Sequence, residues 1–215
     1  MPCRAERFFV RIIYMLKAVI FDLDGVLLDN TQLIVEIFQE AAKRSGLKVP
    51  DKKSVIATLG LVGRDMVEIL LGKKHTETLT QVWMEREKET KSTPGIREVL
   101  NALKTKKAVV TSAPTLFAKR RLKEFIDYFD VIITQESTKK HKPDPEPLFF
   151  ACDKLGIKPE EAVYVGDRII DFETAKNAGM DFIGILSGGT SEEEFKKSGV
   201  TKIIKSLGEL LEIVK

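Results

Sequence analysis

The stretch KAVIFDLDGVLLD, residues 17–29, decides the fold of this chain. It begins as a continuous apolar run with β-branched residues, which predicts a strand that is buried on both faces. Asp22 interrupts the run near its end, and Asp24 and Gly25 follow directly. An unpartnered charge inside a buried strand is costly, so a chemical role explains Asp22 better than packing does. The stretch therefore predicts a sheet whose first strand ends in functional carboxylates.

Similar apolar runs recur downstream, and each is followed by a helical pattern. We predict strands over residues 108–111, 131–134, 162–166 and 182–186, with a possible sixth at 203–204, and helices over residues 95–104, 115–125, 145–155, 169–178, 192–197 and 207–214. Unbroken apolar strands that alternate with helices favour a parallel sheet with right-handed crossovers. The predicted fold class is α/β, with a doubly wound parallel sheet of Rossmann-like type.

The stretch from Asn30 to about Ser92 breaks this alternation, because it predicts helices and no good strand. Residues 33–41 form an apolar helical stripe, and further helices are predicted over residues 52–58, 65–71 and 76–90. We assign Trp83 to the core of this helical unit. The predicted organisation is a leader (1–14), an α/β core domain (15–29 and 93–215) and a helical cap domain (30–92).

Composition excludes several other classes of protein. The chain has 35 basic and 32 acidic residues and a net charge of +3, of which +2 falls within residues 1–14, so no nucleic-acid partner is expected. No apolar run approaches the ~18 residues of a membrane span, so no membrane partner is expected. Cys3 and Cys152 form neither a disulfide framework nor a metal-ligand spacing, which favours a cytoplasmic location. Met15 precedes the first strand, and we predict it as the natural start.

The residues at the predicted strand ends form a set of carboxylates, hydroxyls and one ammonium. Ligands of open α/β sheets bind beyond the carboxyl ends of the strands. Those ends carry Asp22, Asp24, Thr111, Ser112, Lys142, Asp167 and Asp171. Each has a plain structural alternative, such as a turn for Asp-Leu-Asp-Gly or a helix N-cap for Asp167, and only the combination favours chemistry. Close carboxylates repel one another, and oxygen ligands suit a hard cation, so Mg²⁺ is the predicted cofactor.

Four segments resemble the motifs of the haloacid dehalogenase superfamily, in the family order. They are FDLDGVLLD (21–29), Thr111 at a strand end, Lys142 in KPDPEP, and VGDRIIDFETAKNAGM (165–180). The resemblance is to the phosphoglycolate phosphatase and β-phosphoglucomutase-like branch with a helical cap. It implies a magnesium-dependent phosphatase, a hydrolase that cleaves a small-molecule phosphate ester through an aspartyl-phosphate.

The resemblance also implies roles for individual residues. Asp22 is the expected nucleophile, and Asp24 the general acid and base, whose backbone carbonyl would also bind the metal. Asp167 is an expected metal ligand, as is Asp22, while Asp171 is either a ligand or a group that orients one. Thr111 and Lys142 would hold the phosphoryl group, together with main-chain amides around Ser112. LGLVGR (59–64) resembles a substrate-specificity loop, which makes Gly63 and Arg64 candidate substrate contacts.

Three alternatives stay open at this point. A dehalogenase of this superfamily lacks the second aspartate, so Asp24 favours phosphoryl transfer. A sugar-phosphate mutase carries a histidine early in the first cap helix, where this chain has residues 31–34, TQLI. A non-catalytic phosphate-binding protein would be expected to have lost one of the motif residues. The chain could be a monomer or a homodimer.

Overall fold

The computed structural model describes residues 16–214, so the predicted leader and Met15 lie outside the described residues. The central sheet consists of the strands β1 (Ala18–Phe21), β4 (Lys106–Val110), β5 (Val131–Ile133), β6 (Ala162–Gly166), β7 (Asp181–Ile185) and β8 (Ile203–Ile204). All six are parallel, and their order in the sheet is β5-β4-β1-β6-β7-β8. The predicted α/β class and doubly wound parallel sheet are confirmed.

Helices cover both faces of the sheet. They are α5 (Ile96–Ala102), α6 (Thr115–Arg121), α7 (Glu146–Leu155), α8 (Ile169–Ala178), α9 (Glu192–Ser198) and α10 (Leu210–Ile213). Alternate residues of β1 enter different apolar clusters: Val19 and Phe21 belong to one, and Ala18 and Ile20 to the other. This two-sided burial is why the strands are apolar throughout rather than alternating.

A group of helices lies between β1 and β4 in the chain. It consists of α1 (Thr31–Arg44), α2 (Lys52–Thr58), α3 (Gly63–Leu70) and α4 (Thr76–Arg86). Their buried side chains form an apolar cluster of their own, which includes Ile37, Phe38, Val55 and Val82. We refer to residues 31–89 as the helical unit. That it acts as a separate cap domain stays a prediction.

Two short strands join the helical unit to the core. The strand β2 (Leu28–Asp29) precedes the unit, the strand β3 (Lys91–Ser92) follows it, and the two pair in antiparallel fashion. The prediction that no strand lies between Asn30 and Ser92 is therefore wrong at its end. A two-residue strand carries too little pattern to be predicted from sequence.

Several predicted boundaries also differ. Thr111 lies just after β4 rather than in it, and the helix predicted from Thr115 ends at Arg121 instead of residue 125. The helix predicted over residues 76–90 ends at Arg86 and continues as one 3-10 turn. Among the described residues, no helix is long and apolar enough to cross a membrane.

Candidate active site

Asp22 lies at the carboxyl end of β1, the strand between β4 and β6. Its backbone N–H donates to the carbonyl oxygen of Val165 at 2.9 Å, which continues the β1–β6 ladder by one residue. Its side chain is 9% exposed and lies among other carboxylates. The sheet thus holds this carboxylate on a rigid strand end rather than on a mobile loop.

Lys142 connects two of the carboxylates. Its Nζ donates to Asp22 Oδ1 at 2.8 Å and to Asp171 Oδ1 at 2.6 Å, and its side chain is 2% exposed. Asp171 accepts two further hydrogen bonds, from the Tyr164 hydroxyl at 3.0 Å and from the Arg168 backbone N–H at 3.1 Å. Both oxygens of Asp171 are therefore engaged by protein donors, and the network fixes the orientation of Lys142.

Asp167 follows β6 and completes an acidic cluster. One carboxylate oxygen from each of Asp22, Asp167 and Asp171 lies within 4.8 Å of the others, and all three residues are buried. Asp167 Oδ1 is enclosed and has no hydrogen-bond partner among the described residues. An orphaned carboxylate oxygen beside two more carboxylates fits a hard divalent cation such as Mg²⁺.

Two glycines make room for the Asp167 carboxylate. A Cβ atom on Gly25 would lie 2.6 Å from Asp167 Oδ2, and one on Gly188 would overlap the same carboxylate more severely. Gly25 also has a φ of 88°, a conformation that favours glycine. Gly188 lies in the loop after β7, and sequence reasoning did not single it out.

Burial, together with the repulsion between neighbouring carboxylates, shifts the pKa values of the cluster. Burial, opposed by Lys142 and reinforced by Asp171 and Asp24, raises the pKa of Asp22 to about 7. Burial, with Asp171 and Asp22 beside it, raises the pKa of Asp167 well above its ordinary value. Burial alone would lower the pKa of Lys142, but the carboxylates of Asp171 and Asp22 outweigh it and raise that pKa. One ammonium therefore does not neutralise the cluster, and a divalent cation would.

Asp24 is held by two residues that sequence reasoning missed. Arg121 Nη1 and Asn30 Nδ2 both donate to Asp24 Oδ1, the latter at 2.6 Å. The Arg121 side chain is 2% exposed, its Nε donates to the Phe117 carbonyl, and its guanidinium lies 5.3 Å from the centre of the Trp83 ring. Asp24 is thus an ion-paired side chain, and it is not part of the acidic cluster around Asp167. Helical periodicity indicates only that Arg121 is buried, because it lies three residues after the buried Ala118, and does not indicate its partner.

Thr111 and Ser112 both lie at the end of β4 but have different partners. The Thr111 hydroxyl oxygen accepts from the Ala113 backbone N–H at 3.1 Å, which leaves its proton available to a ligand. The Ser112 hydroxyl donates to the carbonyl oxygen of Gly60 at 2.7 Å and so joins the core to the helical unit. The side chain of Ser112 therefore makes a structural contact, while its backbone amide stays a candidate for phosphate binding.

A cavity of about 250 Å³ opens between the sheet edge and the helical unit. Its lining includes six of the predicted site residues, Asp22, Asp24, Gly63, Thr111, Ser112 and Asp167. Arg64 also lines it, but the side chain is 64% exposed and pairs with Asp65 at 3.5 Å. Trp83 was predicted to lie in the core of the helical unit; it packs at the margin of that core and lines the cavity. Lys142 and Asp171 lie behind the residues that line the cavity, and Lys142 reaches the cavity wall at Asp22.

The comparison with known proteins agrees with this geometry. Residues 19–185 match the family model described as haloacid dehalogenase-like hydrolase. A Caldanaerobacter subterraneus subsp. tengcongensis protein that bears the provisional name pyrophosphatase PpaX is 35% identical, with 93% of this chain and 95% of that protein covered. The phosphorylated carbohydrates phosphatase of Thermotoga maritima is 31% identical, with 93% and 99% covered.

A solved structure shows the same architecture. The crystal structure described as a predicted phosphatase from Clostridium acetobutylicum has a TM-score of 0.77 and 27% identity, and covers 92% of this chain and 97% of its own. The family-model match spans β1 to β7, the part of the chain that carries all four motifs. This chain is therefore a hydrolase that belongs to the haloacid dehalogenase-like hydrolase family.

Proposed function

We propose that this hydrolase is a Mg²⁺-dependent phosphatase that cleaves a small phosphomonoester through an aspartyl-phosphate on Asp22. One observation carries the proposal. Asp22 lies on the cavity wall with one oxygen bound by Lys142, in a buried cluster with Asp167 and Asp171. The relatives named as phosphatases, together with the family match, support the same reaction class.

In the first step the free oxygen of Asp22 attacks phosphorus. Lys142 holds the other oxygen and so orients the carboxylate, and it contributes positive charge beside the phosphoryl group. The Thr111 hydroxyl donates a hydrogen bond to a phosphoryl oxygen. As the bond from phosphorus to the ester oxygen breaks, the leaving alcohol takes a proton from Asp24, which has to enter this step protonated on Oδ2, the oxygen that Arg121 does not bind.

In the second step Asp24 takes a proton from a water molecule, which attacks the aspartyl-phosphate. The bond between phosphorus and Asp22 breaks, inorganic phosphate is released, and Asp22 is restored. Arg121 and Asn30 both engage Oδ1 of Asp24, so its Oδ2 is the oxygen that exchanges the proton. This division of the two oxygens keeps the general acid in one orientation through both steps.

Asp22 and Asp167 would hold Mg²⁺, with the backbone carbonyl of Asp24 as a further ligand. Asp171 is better suited to orienting its neighbours, because both of its oxygens already accept hydrogen bonds. When bound, the cation neutralises the carboxylates and stabilises negative charge on the transferring phosphoryl group.

The site accommodates the alternatives less well. A mutase of this family is expected to have a histidine early in α1, and in this chain Thr31 occupies that region and donates to the Gly188 carbonyl at 3.2 Å. Dehalogenation needs no proton donor, whereas Asp24 is held in place by two side chains. A non-catalytic protein would have no need of the buried Asp22–Lys142 pair. Cytoplasmic location, and a monomeric or homodimeric state, stay predictions.

Release of inorganic phosphate from a panel of esters tests the proposal. The panel includes phosphoglycolate, glucose 6-phosphate, inorganic pyrophosphate and an aryl phosphate, each with Mg²⁺ or with EDTA. We expect release that requires Mg²⁺ and that is absent for Asp22→Asn. Conversion of a sugar phosphate into its isomer without phosphate release would support a mutase instead. Turnover of no ester would support a non-catalytic role.

A further inference from the structure

The cavity wall has two chemically different parts. The core strands contribute the reacting groups described above. The helices α1, α3, α4 and α6 contribute apolar side chains, namely Ile34, Phe38, Met66, Leu79, Trp83 and Phe117. The rings of Trp83 and Phe117 lie 5.7 Å apart and form an aromatic part of this wall. A leaving group that extends from phosphorus toward the helices therefore meets hydrocarbon.

Apart from the Trp83 indole, the polar side chains of the helical wall, within the described part of the chain, each have a partner. The Thr76 hydroxyl donates to the Lys73 carbonyl at 2.7 Å, and the Thr80 hydroxyl donates to the Thr76 carbonyl at 2.9 Å. Arg64 is paired with Asp65 and mostly exposed. The charge of Arg121 is matched by Asp24. A sugar with several hydroxyls would thus be enclosed with few hydrogen-bond partners, which is unfavourable.

A few enclosed polar atoms of the cavity-lining residues lack partners. Trp83 Nε1, Gln135 Oε1 and Arg168 Nη1 are buried without a hydrogen bond among the described residues. These three atoms could satisfy about three polar atoms on a ligand, but not the four hydroxyls of a hexose phosphate, each of which both donates and accepts. The volume of about 250 Å³ is slightly below the ~300–1,000 Å³ that is usual for ligand pockets, and the phosphoryl group takes part of it. The remaining space suits a single ring.

We propose that the substrate is a phosphomonoester of an alcohol that carries one apolar ring, with at most about three further polar atoms. The inference rests on the phosphatase function proposed above and specifies its leaving group. Phosphoglycolate and inorganic pyrophosphate leave the apolar wall unfilled. Hexose phosphates bring more hydroxyls into it than the unpartnered atoms can satisfy.

Matched esters separate these cases. Benzyl phosphate, cyclohexylmethyl phosphate and glucose 6-phosphate each bear a six-membered ring and a primary leaving oxygen, so the intrinsic reactivity of their ester bonds is similar. We expect kcat/KM for the two apolar esters to exceed that for glucose 6-phosphate by about tenfold or more, because each unpartnered hydroxyl costs about that factor. Equal values, or a preference for glucose 6-phosphate, would overturn the inference.

A pair of variants locates the preference in the helical wall. Met66→Gln places an amide in the cavity at similar side-chain length, and we expect it to reduce the preference for benzyl phosphate over glucose 6-phosphate by about tenfold. Met84→Gln is the matched control, since Met84 is 48% exposed and does not line the cavity. It should leave the preference unchanged. Circular dichroism checks that both variants are folded.

A binding measurement keeps the inference separate from the phosphatase proposal. Calorimetry on Asp22→Asn with Mg²⁺ compares the affinities of benzyl phosphate and glucose 6-phosphate without turnover. Tighter binding of benzyl phosphate by about tenfold supports the inference even if no ester is hydrolysed, an outcome that would defeat only the proposed function. Hydrolysis that favours glucose 6-phosphate, with matching affinities, would defeat the inference and leave the phosphatase proposal standing.

Discussion

Asp22 is the residue on which the proposed chemistry depends. Asn has the same shape but cannot attack phosphorus, so Asp22→Asn should lower the rate of phosphate release to the background. The fold should persist, because the substitution removes a charge that burial disfavours. Residual activity above a few per cent of the wild-type rate, in a folded variant, would contradict the assignment of the nucleophile.

Arg121 provides a second test with its own control. Arg121→Met removes the cation that holds Asp24, and we expect kcat to fall by about tenfold or more with a smaller change in KM. We expect the free energy of unfolding to fall by about 1–3 kcal/mol, because the side chain is buried while Asp24 is 25% exposed.

Arg120 precedes it on the same helix and is the matched control. It pairs with Glu87 of the helical unit, and its side chain is 47% exposed. Arg120→Met should change stability by about 1 kcal/mol or less and leave kcat near the wild-type value. Equal effects of the two substitutions on kcat would show that the contact of Arg121 with Asp24 does not matter for catalysis.

The candidate catalytic residues can be recognised in the sequence, whereas the residues that hold them in place cannot. Asp22, Asp24, Lys142 and Asp167 belong to local motifs of recognisable residue types. Arg121 is 97 residues away from Asp24, so no local pattern links them. Tyr164 was predicted only as a strand residue, although a buried tyrosine hydroxyl requires a partner, which here is Asp171.

The loop after β7 shows how one element can control a side chain on another. We expect Gly188→Ala to displace the Asp167 carboxylate, because the new Cβ would overlap it. Magnesium affinity and kcat/KM should fall by about tenfold to 100-fold, a loss typical of disturbed metal surroundings. A titration of activity against Mg²⁺ concentration measures both quantities.

Gly208→Ala, in the 3-10 turn Leu207–Glu209 after β8, is the control for this substitution. A Cβ there would meet only Ser206 Oγ, at 3.8 Å, an ordinary contact distance. It should leave the magnesium titration unchanged. If Gly188→Ala also left the magnesium titration unchanged, the close approach of Gly188 to Asp167 would not matter for magnesium binding.

At the level of elements, sequence patterns located the strands better than the cavity wall. The apolar runs predicted every strand of the six-stranded sheet to within a few residues, because burial on both faces leaves an unbroken signal. Trp83 was assigned to the interior of the helical unit because helical periodicity identifies an apolar face. It does not reveal whether another helix or a cavity covers that face.

For the whole molecule, the acidic cluster links stability to pH and to magnesium. Without a divalent cation, folded Asp22 keeps its proton up to a pKa of about 7, whereas its ordinary value is 3.8. The folded state then binds more protons than the unfolded state between these values, so the free energy of unfolding falls as pH rises through this range. The contribution of the Asp22 proton to the free energy of unfolding is fully present below pH 3.8 and is lost above about pH 7.

Magnesium should reverse this loss. We expect the rise in Tm on replacing EDTA with Mg²⁺ to be larger at about pH 8 than at about pH 5, because protons compete with the cation for Asp22 and Asp167. Calorimetric scans at the two pH values measure the difference. An equal rise at both would show that the carboxylates do not take up protons on loss of the metal.

The pairing of β2 with β3 has a consequence for how this chain can change. The first and last residues of the helical unit are joined to paired strands that lie side by side. An inserted segment therefore leaves the core and returns to it at the same place. The helices can therefore accumulate substitutions, or be exchanged for another insert, while the strand ends that hold Asp22 and Asp167 stay in place. Selection can thus alter which compound is processed without rebuilding the machinery that processes it.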